Sequence, residues 1–333
     1  MSTTTILKSP NRSLLAIIKV AILVIFFILL FRVFYNQQYV GHLFSAFKEQ
    51  MNTLRVGYLI MALILVFLNW WSEAIKWRAL MQPVSLMNNY KAIRAVLIGL
   101  TTSIFTPNRI GEYLGRVLTV SRTKKLAAMT VLGFGSLIQL ATLSILGILS
   151  LLYLIGHSYP LPYGDVLSWL LISVLLLIVI VLPTQAKTIF MMLRKKFGHY
   201  LPDLWKQLDF VRSLPQGYYR PVYLITIFRI GIYVFQYWLL LQFFQINVRA
   251  DFAIATILLG YFIQSGLPLP SLFALLARGE ITLLLWKFFA VNELSILAAS
   301  YGLWVINVVL PALVGMIYVM KIKTNVALEN ELS

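Results

Sequence analysis

Apolar segments, separated by short polar and mostly basic segments, make up nearly the whole chain. Several are long enough to span a membrane, and such runs predict transmembrane helices. The full spans expected from this pattern are residues 14–34, 56–77, 126–155, 166–182, 222–244 and 296–320. The sequence therefore predicts an all-α polytopic membrane bundle with about six full spans, in a single integral membrane domain covering residues 1–333.

Two further apolar stretches are interrupted by proline. The first consists of residues 92–105 and 107–120, which meet at Thr106 and Pro107. Threonine favours the position that caps a helix, and proline favours the first helical turn, so a new helix is expected to begin here. The second stretch consists of residues 252–267 and 271–289, with Pro268 and Pro270 between them. Each stretch is predicted to form a re-entrant hairpin or a pair of steeply tilted helices.

The basic residues predict the orientation of the spans. Lys8 and Arg12 precede the first span, and Lys321 and Lys323 follow the last one, so both termini are expected in the cytoplasm. Residues 156–165 and 291–295 contain no lysine or arginine and are expected outside. Residues 183–221 form a basic cytoplasmic segment, predicted as an amphipathic helix lying on the membrane surface.

This topology indicates an internal repeat of two oppositely oriented halves. Residues 54–156 and residues 221–322 each contain a span, a proline-broken hairpin and a long span. The first half begins outside and the second half begins inside, so the two halves would form an inverted repeat. Paired proline-interrupted segments in opposed halves mark the central site of many transporters.

Composition narrows the class of function. The chain is 60% hydrophobic and 12% charged, with a net charge of +17 and no cysteine. Its basic residues lie beside the spans, where they orient the protein and attract anionic lipid, so no nucleic-acid partner is expected. The three histidines, His42, His157 and His199, are scattered through loops. Neither a metal site nor a cofactor is expected.

Charged residues within the apolar segments are the candidate functional groups, because each one is costly in a membrane and needs a partner or water. Glu112 lies three residues after Arg109 and four before Arg116, on one helix face. The predicted substrate-binding residues are Glu73, Lys76, Asn108, Arg109, Glu112, Arg116, Arg278 and Glu280. They would line a polar cavity for a lipid headgroup, with Arg109 facing phosphate; the alternative is a set of structural ion pairs. The sequence assigns no role to Arg229.

The segment from Thr106 to Glu112, TPNRIGE, with Arg116 one turn later, resembles a signature of the lysylphosphatidylglycerol synthase transmembrane-region family. Pro268, Pro270 and the Arg278-Gly279-Glu280 sequence resemble its second signature. The resemblance covers about residues 56–319. It implies a flippase-like protein of the prokaryotic cytoplasmic membrane, related to the flippase half of the multiple peptide resistance factor.

Two departures from the family pattern concern the ligand: Asn307 stands where an arginine is frequent, and Ser136 and Gln139 stand where many relatives have a charged pair. The expected partner is an anionic phospholipid or a lipid-linked substrate, bound and translocated through a central polar cavity. A membrane-embedded transferase and a scaffold without transport are the alternatives. No catalytic residue is assigned, and the oligomeric state is left open.

Overall fold

The computed structural model describes residues 55–157, except 105 and 107–109, and residues 217–320, except 268–270, along with isolated residues between 45 and 51 and between 170 and 214. The predicted span 14–34, and most of the predicted span 166–182 and of the basic segment 183–221, lie outside the described residues. So do Asn108 and Arg109.

All regular elements in the described part of the chain are helical. In chain order they are α1 (Val56–Met81), α2 (Asn89–Ile104), α3 (Ile110–Val117), α4 (Lys125–Gly156), α5 (Arg220–Phe243), α6 (Ala250–Gly266), α7 (Ser271–Trp286), α8 (Glu293–Trp304) and α9 (Leu310–Met320). Two single-turn 3₁₀ segments, Arg122–Lys124 and Lys287–Phe289, precede α4 and follow α7. A π-helical turn, Val305–Val309, joins α8 to α9.

Four helical stretches in this part of the chain are long and apolar enough to cross a membrane. They are Val56–Met81, Lys125–Gly156, Arg220–Phe243 and the continuous stretch Glu293–Met320. Each overlaps a predicted span, so the prediction of a helical membrane bundle is confirmed for these four. The remaining two predicted spans stay predictions.

An asparagine side chain caps the start of two helices, α2 and α8. The Asn88 side chain accepts a hydrogen bond from the backbone N–H of Lys91 at 2.9 Å, and Asn292 accepts one from Ser295 at the same distance. Both satisfy a backbone donor that the first turn of a helix leaves free. At the first broken stretch, the Thr106 hydroxyl accepts the backbone N–H of Gly111 at 2.6 Å, which ties the end of α2 to the start of α3.

α2 and α3 form a tight antiparallel hairpin because glycines lie where they cross. A Cβ atom on Gly115 would lie 2.2 Å from the Thr102 hydroxyl oxygen and 2.8 Å from the Gly99 Cα. The opposite face of α3 is apolar, with Ile110, Leu114 and Leu118 each about half exposed. The helix therefore presents apolar side chains outward while its small residues pack on α2.

α1 and α5 pack antiparallel to each other along much of their length. Ala62 lies beside Gln236, Asn69 beside Arg229, and the Leu80 carbonyl accepts the hydroxyl of Tyr218, just before α5. This pair is the centre of the described bundle and brings the polar residues of the two helices together.

Two further pairs of helices pack antiparallel to each other. α4 packs on α6, where the Tyr153 hydroxyl donates to Asp251 at 2.6 Å. α9 packs on α2, where the Thr101 hydroxyl donates to the Ala312 carbonyl at 2.9 Å. In both pairs, a helix from residues 54–156 thus packs against a helix from residues 221–322.

Candidate functional site

Glu73 lies at the centre of a buried group of charged side chains. Its carboxylate accepts Lys76 Nζ at 2.8 Å and Arg116 Nη2 at 2.7 Å, and it also forms an ion pair with Arg229. Arg116 forms a second ion pair with Glu112, one turn earlier on α3. These five residues, Glu73, Lys76, Glu112, Arg116 and Arg229, are called the charged cluster below.

Three helices contribute to the charged cluster. Glu73 and Lys76 lie three residues apart on one face of α1, where the i, i+3 spacing brings their side chains together. α3 supplies Glu112 and Arg116, and α5 supplies Arg229. Every side chain of the cluster is buried or nearly so, with Glu112 the most exposed at 16%.

The close approach of α2 to α3 makes room for Arg116. Gly99 lies directly against the Arg116 side chain, since a Cβ at Gly99 would lie 2.9 Å from Arg116 Cγ. The guanidinium carbon of Arg116 lies 5.8 Å from the centroid of the Trp77 ring, in a cation–π arrangement. Arg116 is fully buried as a result, and its position is fixed by backbone, ring and carboxylates together.

Neutral polar side chains complete the surroundings of the cluster. Arg229 Nε donates to Asn69 Oδ1 at 2.8 Å, and Asn69 Nδ2 donates to Asn307 Oδ1 at 2.7 Å. Gln139 Oε1, on α4, accepts Lys76 Nζ at 2.8 Å. Helices α1, α3, α4 and α5 and the π-helical turn are therefore connected by polar contacts at this point.

The cluster leaves several buried hydrogen-bond donors unused. Arg116 Nε and Nη1 and the neighbouring Trp77 Nε1 are buried and have no hydrogen-bond partner within the described part of the chain. All three groups are donors only, so the partner that would satisfy them is an acceptor. An unmet buried donor is costly, which favours binding of a molecule that brings oxygen atoms.

The charge of the cluster points to the same class of ligand. Three cations, Lys76, Arg116 and Arg229, face two carboxylates, Glu73 and Glu112, so one positive charge is in excess. Guanidinium groups bind phosphate oxygens with paired hydrogen bonds. The arrangement can therefore hold a singly charged anion such as a phosphodiester.

The structure brings half of the predicted binding residues together. Glu73, Lys76, Glu112 and Arg116 all belong to the charged cluster, whereas Asn108 and Arg109 lie outside the described residues. Arg278 is half-buried and Glu280 is exposed on α7, and neither has an ion-pair partner within the described part of the chain.

Sequence reasoning missed Arg229, which contacts Glu73 and Asn69 from 156 and 160 residues away. The available signal was that a buried arginine in an apolar span must have a partner. That partner is Glu73 on α1, but no spacing rule connects α1 with α5, because the two helices are far apart in sequence. Within the described residues, no three His, Asp or Glu side chains lie together as a metal site requires.

One comparison with known proteins identifies a family. The profile of the lysylphosphatidylglycerol synthase TM region matches residues 15–315 of the chain. No curated protein matches it. The match extends over all the helices described above up to the middle of α9, and it includes every residue of the charged cluster.

Proposed function

Because the chain belongs to the lysylphosphatidylglycerol synthase transmembrane-region family, we propose that it is a flippase-like protein that binds the headgroup of an anionic phospholipid or lipid-linked substrate and moves it between leaflets. The charged cluster would receive the phosphate. One observation carries this proposal: Arg116 presents two donors that no described residue satisfies, inside a buried cluster with an excess positive charge.

The phosphate of the ligand would lie beside Arg116 and the Trp77 ring. There it would satisfy the unmet donors and neutralise the excess charge of the cluster. Arg109, predicted on the same helix face as Glu112 and Arg116, would add a further contact to phosphate. Glu73 would then keep the three cations of the cluster in place rather than contact the ligand.

The packing of the helices supports the inverted repeat that transport by alternating access would use. α1 and α5 begin the two halves and pack antiparallel to each other. Two contacts between the halves correspond to each other: α4 of the first half packs on α6 of the second, and α9 of the second half packs on α2 of the first. Corresponding helices thus have corresponding neighbours, as a two-fold relation between the halves requires. The charged cluster lies where the two halves meet, the usual place for a transporter's substrate site.

The proposed orientation has both termini in the cytoplasm of a prokaryotic cell, with the protein in its inner membrane. The first hairpin, α2 and α3, would open to the cytoplasm, and the second, α6 and α7, would open to the outside. Arg278 and Glu280, on α7, would then contribute to the outward-facing end of the pathway rather than to the charged cluster.

Lipid binding and leaflet exchange by an Arg116→Lys variant test the proposal. Lysine retains the positive charge opposite Glu73 and Glu112 but lacks the two unmet donors of Arg116. Affinity for a monoanionic phospholipid such as phosphatidylmethanol, measured in detergent by native mass spectrometry, is expected to fall by about tenfold or more, because hydrogen bonds to charged groups contribute about 1.5–3 kcal/mol. Exchange of labelled lipid between the leaflets of proteoliposomes should fall with it.

Arg249→Lys is the matched control. Arg249 forms an exposed ion pair with Asp251 at the start of α6, outside the charged cluster. The Arg249→Lys variant should bind and exchange lipid as the unaltered protein does. A folded Arg116→Lys variant with unchanged lipid binding would contradict the proposal and leave the cluster as a set of structural ion pairs. A covalently altered lipid product would instead support a transferase.

A further inference from the structure

A small pocket, separate from the charged cluster, lies between α5, α6 and α7. None of the ten described residues that line it is charged. Its polar lining consists of Tyr237, Thr256, Tyr261, Gln264 and Thr282. The enclosed space accommodates a group about the size of one water molecule or one hydroxyl.

The unmet groups of this pocket differ in kind from those of the charged cluster. Gln264 Oε1 is a buried acceptor without a hydrogen-bond partner, and the buried hydroxyls of Tyr237 and Tyr261 also have none within the described part of the chain. The Thr256 and Thr282 hydroxyls, in contrast, donate to backbone carbonyls of their own helices at 2.8 Å and 2.7 Å. The pocket therefore has one acceptor and two donor–acceptors to satisfy.

A hydroxyl group fits this combination. It can donate to Gln264 Oε1 and accept from Tyr237 and Tyr261, whereas a phosphate oxygen cannot donate and an ammonium group cannot accept. We propose that this pocket binds a hydroxyl of a neutral polyol group, supplied either by a free polyol or by the end of a lipid headgroup.

The pocket is close to the charged cluster. The guanidinium carbon of Arg229 lies 5.6 Å from the centroid of the Tyr233 ring, and the Tyr233 and Tyr261 ring centroids are 5.9 Å apart. A single aromatic ring thus separates the two sites. Because of this proximity, the ligand to test is a headgroup that carries both a phosphate and a hydroxyl. The pocket proposal itself does not rest on the charged cluster.

The test compares two lipids with the same monoanionic phosphodiester. Phosphatidylglycerol ends in two hydroxyls, and phosphatidylmethanol ends in none. Affinities of the purified full-length protein for each lipid are measured in detergent by native mass spectrometry, for the unaltered protein, Tyr261→Phe and Gln264→Met. Free glycerol is tested separately as a ligand of the lipid-depleted protein and as a competitor of phosphatidylglycerol. Tyr90→Phe, at an exposed tyrosine on α2, is the matched control.

If the hydroxyl comes from a lipid, the unaltered protein should bind phosphatidylglycerol about three- to tenfold more tightly than phosphatidylmethanol, the effect of one added hydrogen bond. Tyr261→Phe and Gln264→Met should remove that preference without weakening phosphatidylmethanol binding, and Tyr90→Phe should retain it. If it comes from a free polyol, glycerol itself should bind in a Tyr261-dependent manner, with no preference between the lipids.

The proposal would be overturned if the protein showed no lipid preference and also no glycerol binding that depends on Tyr261. The pocket would then hold water only. The phosphatidylmethanol measurement separates this outcome from the proposed function. Loss of phosphatidylmethanol binding in Arg116→Lys concerns the charged cluster alone. The effect of Tyr261→Phe is instead measured as the ratio of the affinities for two lipids with the same phosphate.

Discussion

Replacing Glu73 by glutamine should be among the most damaging single changes in the chain. The substitution nearly conserves volume but removes the carboxylate that contacts Lys76, Arg116 and Arg229. The excess charge of the cluster rises from one to two, and the two arginines keep their charge at any pH near neutrality. Breaking a buried ion pair by removing one partner typically costs about 3–5 kcal/mol. We expect a loss of stability in this range.

Thermal unfolding of the purified protein in detergent measures the effect. Glu280→Gln is the matched control, because Glu280 is exposed and has no ion-pair partner within the described residues, and surface substitutions of this kind change stability by about 0.5 kcal/mol or less. A second variant, Glu73→Gln combined with Lys76→Met, restores the original charge excess. It should be more stable than Glu73→Gln alone, since neutral replacement of both partners is often close to neutral.

An unfolding midpoint for Glu73→Gln equal to that of Glu280→Gln would refute this reasoning. It would mean that the cations of the cluster find other acceptors, or water, without Glu73. Failure of the double variant to recover any stability would show that Lys76 depends on Gln139 rather than on the carboxylate. Both outcomes can be read from the same set of melting curves.

Three other changes test the hairpin, the amide contacts and the topology. Gly115→Ala should destabilise the protein by about 1–3 kcal/mol, because the added methyl would collide with α2. Gly133→Ala is the control and should not destabilise it, because nothing lies within 4 Å of the added methyl. Equal unfolding midpoints for the two variants would contradict the close packing. Asn307→Ala should cost about 1–3 kcal/mol by leaving a buried amide without its acceptor, and an unchanged midpoint would show that this contact is dispensable. A cysteine at Ser158 should react with an impermeant thiol reagent in intact cells, and one at Thr123 only after permeabilisation; the reverse pattern would invert the proposed orientation.

Helix existence and type could be predicted from the sequence, but helix ends less closely. Residues 56–77 were predicted as a span and α1 is Val56–Met81, one turn longer, because apolar Leu80 and Met81 are fully buried in the bundle. Residues 107–120 were predicted as a helix, and α3 ends at Val117 before a turn. Hydrophobic periodicity and proline position indicate where a helix exists, because both depend only on residues that are neighbours in sequence.

The candidate site could be predicted only where its contacts are local. Glu73 with Lys76 and Glu112 with Arg116 follow helical spacing, so both pairs are visible in the sequence. Joining the two pairs through one carboxylate, and adding Arg229, depends on how α1, α3 and α5 pack. A single sequence without the packing does not contain that information. Nor does spacing indicate that Arg278 and Glu280 lie apart from the cluster.

The π-helical turn Val305–Val309 sets the rotational register of the end of the chain. An additional residue in one turn rotates every later side chain by about 100° about the helix axis relative to a continuous α-helix. α8 and α9 can therefore direct differently facing surfaces to their separate neighbours, α7 and α2. Deleting one residue of the turn would restore α-helical phase and rotate Gly315 away from the Leu97 carbonyl, against which a larger side chain would not fit. Deleting or inserting one residue in this turn would thus change the direction in which every side chain of α9 points.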